Sequence, residues 1–263
     1  MINTNGGNGS IMSLSQRLGA ALLGLCLGTA GASEVDKSER LVNQHDLKTT
    51  VAIGDYYLKQ ESIVAARDFL RRLGEAQQLG HAWTPANAHW KQAEQAIVQS
   101  LMRQVGRNFS NLEWLSEEWS RMNMSDFSEQ DMDLLLAHFG TEVGRKQVMI
   151  VDHSIAFHVI TALTMSGKIQ ENLPGIEADR KRMQDLYGDE DREMRFDTEE
   201  NPEGTKFAMS PTGKKYFVNA VLKVTGMVSQ RLYSTASGLS KRIDPSAAEI
   251  QSALDGFRKA GEG

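Results

Sequence analysis

Residues from about Gly144 to Met165 are apolar on most sides of a helix. Val148, Met149, Ile150, Val151, Ile155, Phe157, Val159, Ile160 and Leu163 fall around nearly the whole circumference. A helix of this kind has to be surrounded, so the pattern predicts a bundle with this segment at its centre. The rest of the chain is compatible with that. Five prolines in 263 residues, with abundant Ala, Leu, Gln, Glu and Lys, favour an all-α protein. Helical spacing predicts elements over Glu39–Lys59 (Leu41, Val42, Val51, Tyr56, Tyr57), interrupted at Gly54, with a strand at Thr49–Ile53 as the alternative. Further helices are expected over Ser62–Leu79, stopped by Gly80; from a Thr84–Pro85 start to about Val105; and over Asn111–Met122. Ser128-Glu-Gln-Asp131 reads as a capping box opening a helix to Phe139. A polar helix over Ile176–Tyr187, a helix over Pro211–Tyr233 and a last one capped by Asp244–Pro245 and reaching Phe257 complete the reading. The expected architecture is a single all-α bundle of six to eight helices over residues 33–263.

The N-terminal stretch has a different character. Arg17 precedes a short apolar run, Leu18–Leu27, and Ala30-Gly31-Ala32 follows with small residues. That is the layout of a secretory signal peptide over residues 1–32, with Met12 an alternative start, and the run is too short to span a bilayer. A lipoprotein anchor at Cys26 fits less well, because Leu25 stands where a small residue is needed. The expected location is periplasmic or secreted. Removal of 1–32 takes away Arg17 and the only cysteine, moving the formal net charge from −5 to −6 and leaving no disulfide to form. Mild acidity argues against a nucleic-acid partner. No second apolar run is long enough for a membrane span. Gly188–Gly204 holds eight acids (Asp189, Glu190, Asp191, Glu193, Asp197, Glu199, Glu200, Glu203) and reads as a mobile, solvated loop.

The chain repeats one local pattern at an offset of 69. His138-Phe139-Gly140-Thr141-Glu142-Val143-Gly144-Arg145-Lys146 is matched by Phe207-Ala208-Met209-Ser210-Pro211-Thr212-Gly213-Lys214-Lys215. Each copy reads hydroxyl, two residues, glycine, two bases, then an apolar helix. Thr141 and Ser210 are placed to cap the helix that follows, and Pro211 stands where first-turn prolines stand. Gly144 and Gly213 then fall in the first turn, where a missing side chain permits close helix contact. Paired bases beside a positive helix end are unusual. Thr141, Gly144, Arg145, Lys146, Ser210, Gly213, Lys214 and Lys215 are therefore a candidate anion or partner site, the alternative being a solvated basic face.

The second copy, with Phe207, Ser210, Pro211, Gly213 and Lys215, resembles a motif of the exported bacterial family catalogued as domain of unknown function twenty fifty-nine. In the first copy Phe139, Thr141, Gly144 and Lys146 fit the same motif, and Phe127-Ser-Glu-Gln-Asp131 resembles its lead-in. The resemblance covers about residues 125–235. His138 and Ala208 break the aromatic pair, and Glu142 stands in place of proline. What the resemblance implies is a small helical bundle in the periplasm or outside the cell, with no established chemistry to carry over.

No catalytic set is expected. The mature chain lacks a cysteine and a G-x-S-x-G elbow, and Glu117 and Glu118 beside Trp114 and Trp119 point about 100° apart on a helix. His81, His89 and Glu94 lack metal-ligand spacing. His153 and His158 stand five apart, so a metal would need them to converge with His138. No metal or cofactor is expected, and Asp189–Glu193 lacks a calcium-loop pattern. The buried polar cluster worth watching is Asp152 with His153. The function these features favour is non-catalytic binding of a protein partner or envelope component. The alternatives are a small-molecule or anion-binding protein, or an enzyme, using the basic helix starts or Asp152/His153, and a metal-binding protein.

Overall fold

The computed structural model describes residues 34–165 and 202–261, whose regular elements are all helices, with no strand among them. The signal peptide expected over 1–32, the polar helix expected at 176–187 and the expected acidic loop up to residue 201 lie outside the described residues.

The chain enters as α1 (residues 34–42), breaks over 43–47, and continues as α2, Lys48–Ala76. The two expected helices 39–59 and 62–79 are thus divided differently: the break falls at His45, and α2 runs unbroken through Thr49–Ile53 and through Gly54. Gly54 is tolerated there for a packing reason. A Cβ on it would lie 2.3 Å from the Phe109 ring, so the bare backbone makes room for an aromatic. Gly74 does the same for Trp83, whose Nε1–H reaches the Leu70 carbonyl at 3.0 Å. Past α2 the chain turns at Gln78 and Gly80, both with positive φ.

Helix α3, Ala88–Val105, is capped by Asn87, whose side chain accepts the His89 amide at 2.8 Å. Thr84–Pro85 instead forms a turn in which the Asn87 amide reaches the Thr84 carbonyl, so the helix starts three residues later than expected. Trp90, Ala93, Ile97 and Leu101 point inward as the spacing requires. A π turn, Gly106–Ser110, leads to α4, Glu113–Asp126. Helix α5, Glu129–Phe139, opens with the expected capping box between Ser128 and Asp131. Helix α6, Glu142–Met165, follows.

After the segment outside the described residues come α7, Pro202–Met209, and α8, Pro211–Asn219, which a π turn, Ala220–Val224, joins to α9, Thr225–Gly238. Pro202, Glu203 and Gly204, expected at the end of the acidic loop, are helical. The last helix, α10, is Ala248–Gly261. Asp244 makes a side-chain turn onto Ser246 instead of capping it, so the helix starts and ends later than expected.

Helix α6 packs on α2, α5, α7 and α9, and α3 packs between α2 and α10. Its centrality needs one correction. Val151, Ile155, Val159 and Leu163 are buried, but Met149 and Phe157 stand in solvent. Two residues along a helix is about 200° of rotation, so these side chains point away from the line that meets the core. The buried line of α6 recurs at the offset of 69: Val151, Ile155, Val159 and Leu163 correspond to Ala220, Val224, Val228 and Leu232, all buried. A spacing of four drifts around an ordinary helix, and the π turn within the second set takes up an extra residue.

Candidate functional site

The matched segments build the same corner twice. Thr141 Oγ1 accepts the Gly144 amide at 3.0 Å and donates to the His138 carbonyl at 2.7 Å. Ser210 Oγ accepts the Gly213 amide at 3.1 Å and donates to the Phe207 carbonyl at 2.6 Å. Each hydroxyl therefore both starts one helix and closes the previous one. The glycines are required by proximity: a Cβ on Gly144 would lie 2.0 Å from the His138 oxygen, and one on Gly213 2.1 Å from the Phe207 oxygen. The corners also meet. His138 and Phe207, equivalent at the offset of 69, stack with ring centroids 3.6 Å apart and 11° between planes.

The bases of these corners are turned to separate places. Arg145 donates to the Gly140 carbonyl at 2.8 Å, and Lys146 pairs with Glu142 at 3.3 Å. Lys215 donates to the Asp126 carbonyl and sits over the Phe127 ring. Lys214 is exposed. Asp131 links α5 to α8: its carboxylate accepts the Thr212 and Ser128 hydroxyls, each at 2.7 Å. Those bonds, Thr212's first, hold the Asp131 carboxyl below its ordinary range.

A second polar cluster joins the α1–α2 break to α6 and α8. His45 Nδ1 lies 2.6 Å from Asp152 Oδ1, and His45 Nε2 lies 2.6 Å from Tyr216 Oη. The Asp46 amide donates to Asp152 Oδ2 at 2.8 Å. The His45 side chain is fully buried, Asp152 nearly so. Burial, with the Asp152 charge a smaller cause, pushes the Tyr216 phenol above its ordinary range, so Tyr216 stays protonated. The ring is thus held at Nε2 by the phenol and at Nδ1 by the carboxylate. Trp119 lies against His45 with centroids 4.3 Å apart. On the same helix, Trp119 Nε1 and both amide atoms of the fully buried Asn123 have no hydrogen-bond partner among the described residues.

Asp152 is thus the residue the sequence singled out, and His45 joins it from the α1–α2 break. His45 lies 107 residues from Asp152 and 171 from Tyr216, and no local pattern marks such a pairing. The histidines a metal would need do not converge. His138 Nε2 bonds Gln147 Oε1 at 2.6 Å, and His158 Nδ1 bonds the Ser154 carbonyl at 2.6 Å. Among the described residues no group of three His, Cys, Asp or Glu is placed to hold a metal ion. Glu94 is taken by Arg67 and Trp90. No described helix is long and apolar enough to cross a membrane.

No protein-family model, curated protein or solved structure matches the chain.

Proposed function

We propose that this is an exported helical protein that binds a protein partner or envelope component without catalysing a reaction, akin to the family its second corner resembles. The observation that carries the reading is the contrast between its polar and apolar groups. In the buried relay formed by His45, Asp152 and Tyr216, both ring nitrogens of His45, both oxygens of Asp152 and the Tyr216 hydroxyl are engaged with one another or with the Asp46 amide. A general acid or base has to reach a substrate proton, and these groups are committed inside the bundle. Large apolar side chains meanwhile stand outward on the two matched helices, Met149 and Phe157 on α6 and Val218 and Leu222 on α8 and its π turn.

A second reading, binding of a small molecule, is favoured by Trp119 Nε1, whose ring lies against His45, and the Asn123 amide, which have no hydrogen-bond partner among the described residues. Native mass spectrometry of protein purified from a bacterial periplasm separates the two. The first reading expects a chain beginning near Ser33 and carrying no extra small mass. A ligand mass that survives desalting and disappears in Asn123→Leu selects the second, and an intact N-terminus in the cytoplasm ends the export proposal.

A further inference from the structure

We infer that the buried relay is a one-electron oxidation site, at which Tyr216 gives up an electron and its phenolic proton together and His45 keeps the proton. Two short contacts in series carry the inference: Tyr216 Oη lies 2.6 Å from His45 Nε2, and His45 Nδ1 lies 2.6 Å from Asp152 Oδ1. Enclosure bars the relay from a substrate proton, but it is no obstacle here. The electron leaves by tunnelling, and the proton stays inside the bundle.

The step balances within these residues and one outside reagent, a high-potential one-electron oxidant. The oxidant takes an electron from the Tyr216 ring. The phenolic O–H bond breaks, a bond to His45 Nε2 forms, and a neutral tyrosyl radical then faces an imidazolium. Electron loss without proton loss would leave a radical cation on a side chain only 1 % exposed, which burial penalises heavily. Proton transfer moves that charge to where it is offset. Asp152 faces Nδ1 and is aligned by the Asp46 amide on its other oxygen. The Trp119 ring lies against His45 with centroids 4.3 Å apart, a contact that a cation strengthens. Competing rings lack this arrangement. Trp119 Nε1 has no acceptor among the described residues, so electron loss from that indole leaves its charge in place. Tyr57 is equally buried, yet no histidine meets its hydroxyl among the described residues. Phe127 and Phe139 pack on Tyr216 and shield the radical once formed.

The test is flash photolysis of the full chain with ruthenium(III) tris(bipyridine) generated in solution, read by transient absorption and electron paramagnetic resonance. The expected result is a neutral tyrosyl radical whose formation slows in heavy water. Tyr216→Phe should remove most of that signal, and Tyr57→Phe should not. His45→Gln should slow formation about a hundredfold, the low end of what a positioned base contributes. Asp152→Asn should slow it less and keep the heavy-water effect, because the base remains. A tryptophan radical alone, a tyrosyl signal that survives Tyr216→Phe, or equal rates in light and heavy water overturns the proposal. The isotope comparison uses the unaltered chain, so it holds even where His45→Gln fails to fold.

Discussion

The two corners make a demanding prediction, because one residue type is required twice for the same reason. Gly144→Ala places a methyl 2.0 Å from the His138 carbonyl oxygen, and Gly213→Ala places one 2.1 Å from the Phe207 oxygen. Neither obstacle is a flexible side chain that can swing aside. Each carbonyl accepts two hydrogen bonds at its corner, from the amide and hydroxyl of Thr141 or of Ser210. Backing away by the angstrom needed for ordinary contact loosens both, at about 1 kcal/mol each. Residual overpacking adds about 1 kcal/mol or more. Each variant should therefore lose about 3 kcal/mol, which for a domain of this size is about 6–12 °C in melting temperature. Gly226→Ala is the control. It lies in α9 with nothing within 4 Å of a new Cβ, so it should be neutral or gain about 0.5–1 kcal/mol. Urea denaturation reads all three. The corners touch through the His138–Phe207 stack, so the double variant should depart from additivity. If Gly144→Ala and Gly213→Ala denature with Gly226→Ala, the close approach at both corners is wrong.

The relay and its neighbours give further tests. Tyr216→Phe leaves His45 Nε2 buried without its partner and should cost about 1–3 kcal/mol in urea denaturation; an unchanged midpoint would remove the relay as a stabilising feature. Burial raises the folded Tyr216 phenol above its unfolded value, so its contribution is complete below about pH 10 and lost as pH rises further. Stability should then fall by about 1.4 kcal/mol per pH unit for this phenol. Tyr216→Phe should remove that part of the alkaline slope and leave the part due to Tyr57, whose phenol burial also raises. Identical alkaline slopes in the two proteins would contradict the assignment. Asp131 carries the opposite sign: its folded value is depressed, chiefly by Thr212, so its contribution is present above the ordinary carboxylate range and lost as pH falls. Thr212→Val should move the acid-unfolding midpoint to higher pH, and a midpoint that stays put counts against the α5–α8 link.

What was legible in the sequence was local. The Ser128 capping box, the Thr141 and Ser210 caps and the buried stripe of α3 are set by residues within one or two turns, and they are found where the spacing places them. Misplaced boundaries share a cause. Thr84–Pro85 and Asp244–Pro245 are helix-start signals and turn signals at once, and Asn87 and the Ser246 turn decide between the meanings. Gly54 reads as a weak point in a helix because the Phe109 ring that occupies its space is 55 residues away. Met149 and Phe157 read as core because hydropathy cannot tell a side chain facing α2 and α9 from one facing away.

The relay was half legible, and the repeat explains why. At the offset of 69, Gln147 is the equivalent of Tyr216, six residues after the capping hydroxyl in each copy. Both are buried, and each bonds a histidine at 2.6 Å: Gln147 takes His138, from the helix just before it, and Tyr216 takes His45, from the start of the chain. The polar position belongs to the repeated unit, and the partner belongs to whatever the fold packs against that unit. In the first copy the partner is local. Gln147 also donates to the Gly204 carbonyl at 3.0 Å, which ties α6 to α7. In the second copy the partner arrives from the α1–α2 break and brings Asp152 with it. Periodicity can mark a unit that recurs, but two histidines so differently placed in the chain carry no shared local signal. Gln147→Leu and Tyr216→Phe should therefore both destabilise, and only Tyr216→Phe should change the alkaline slope, since Gln147 has no proton to lose in that range. Matching alkaline profiles for the two variants would deny the distinction between the locks.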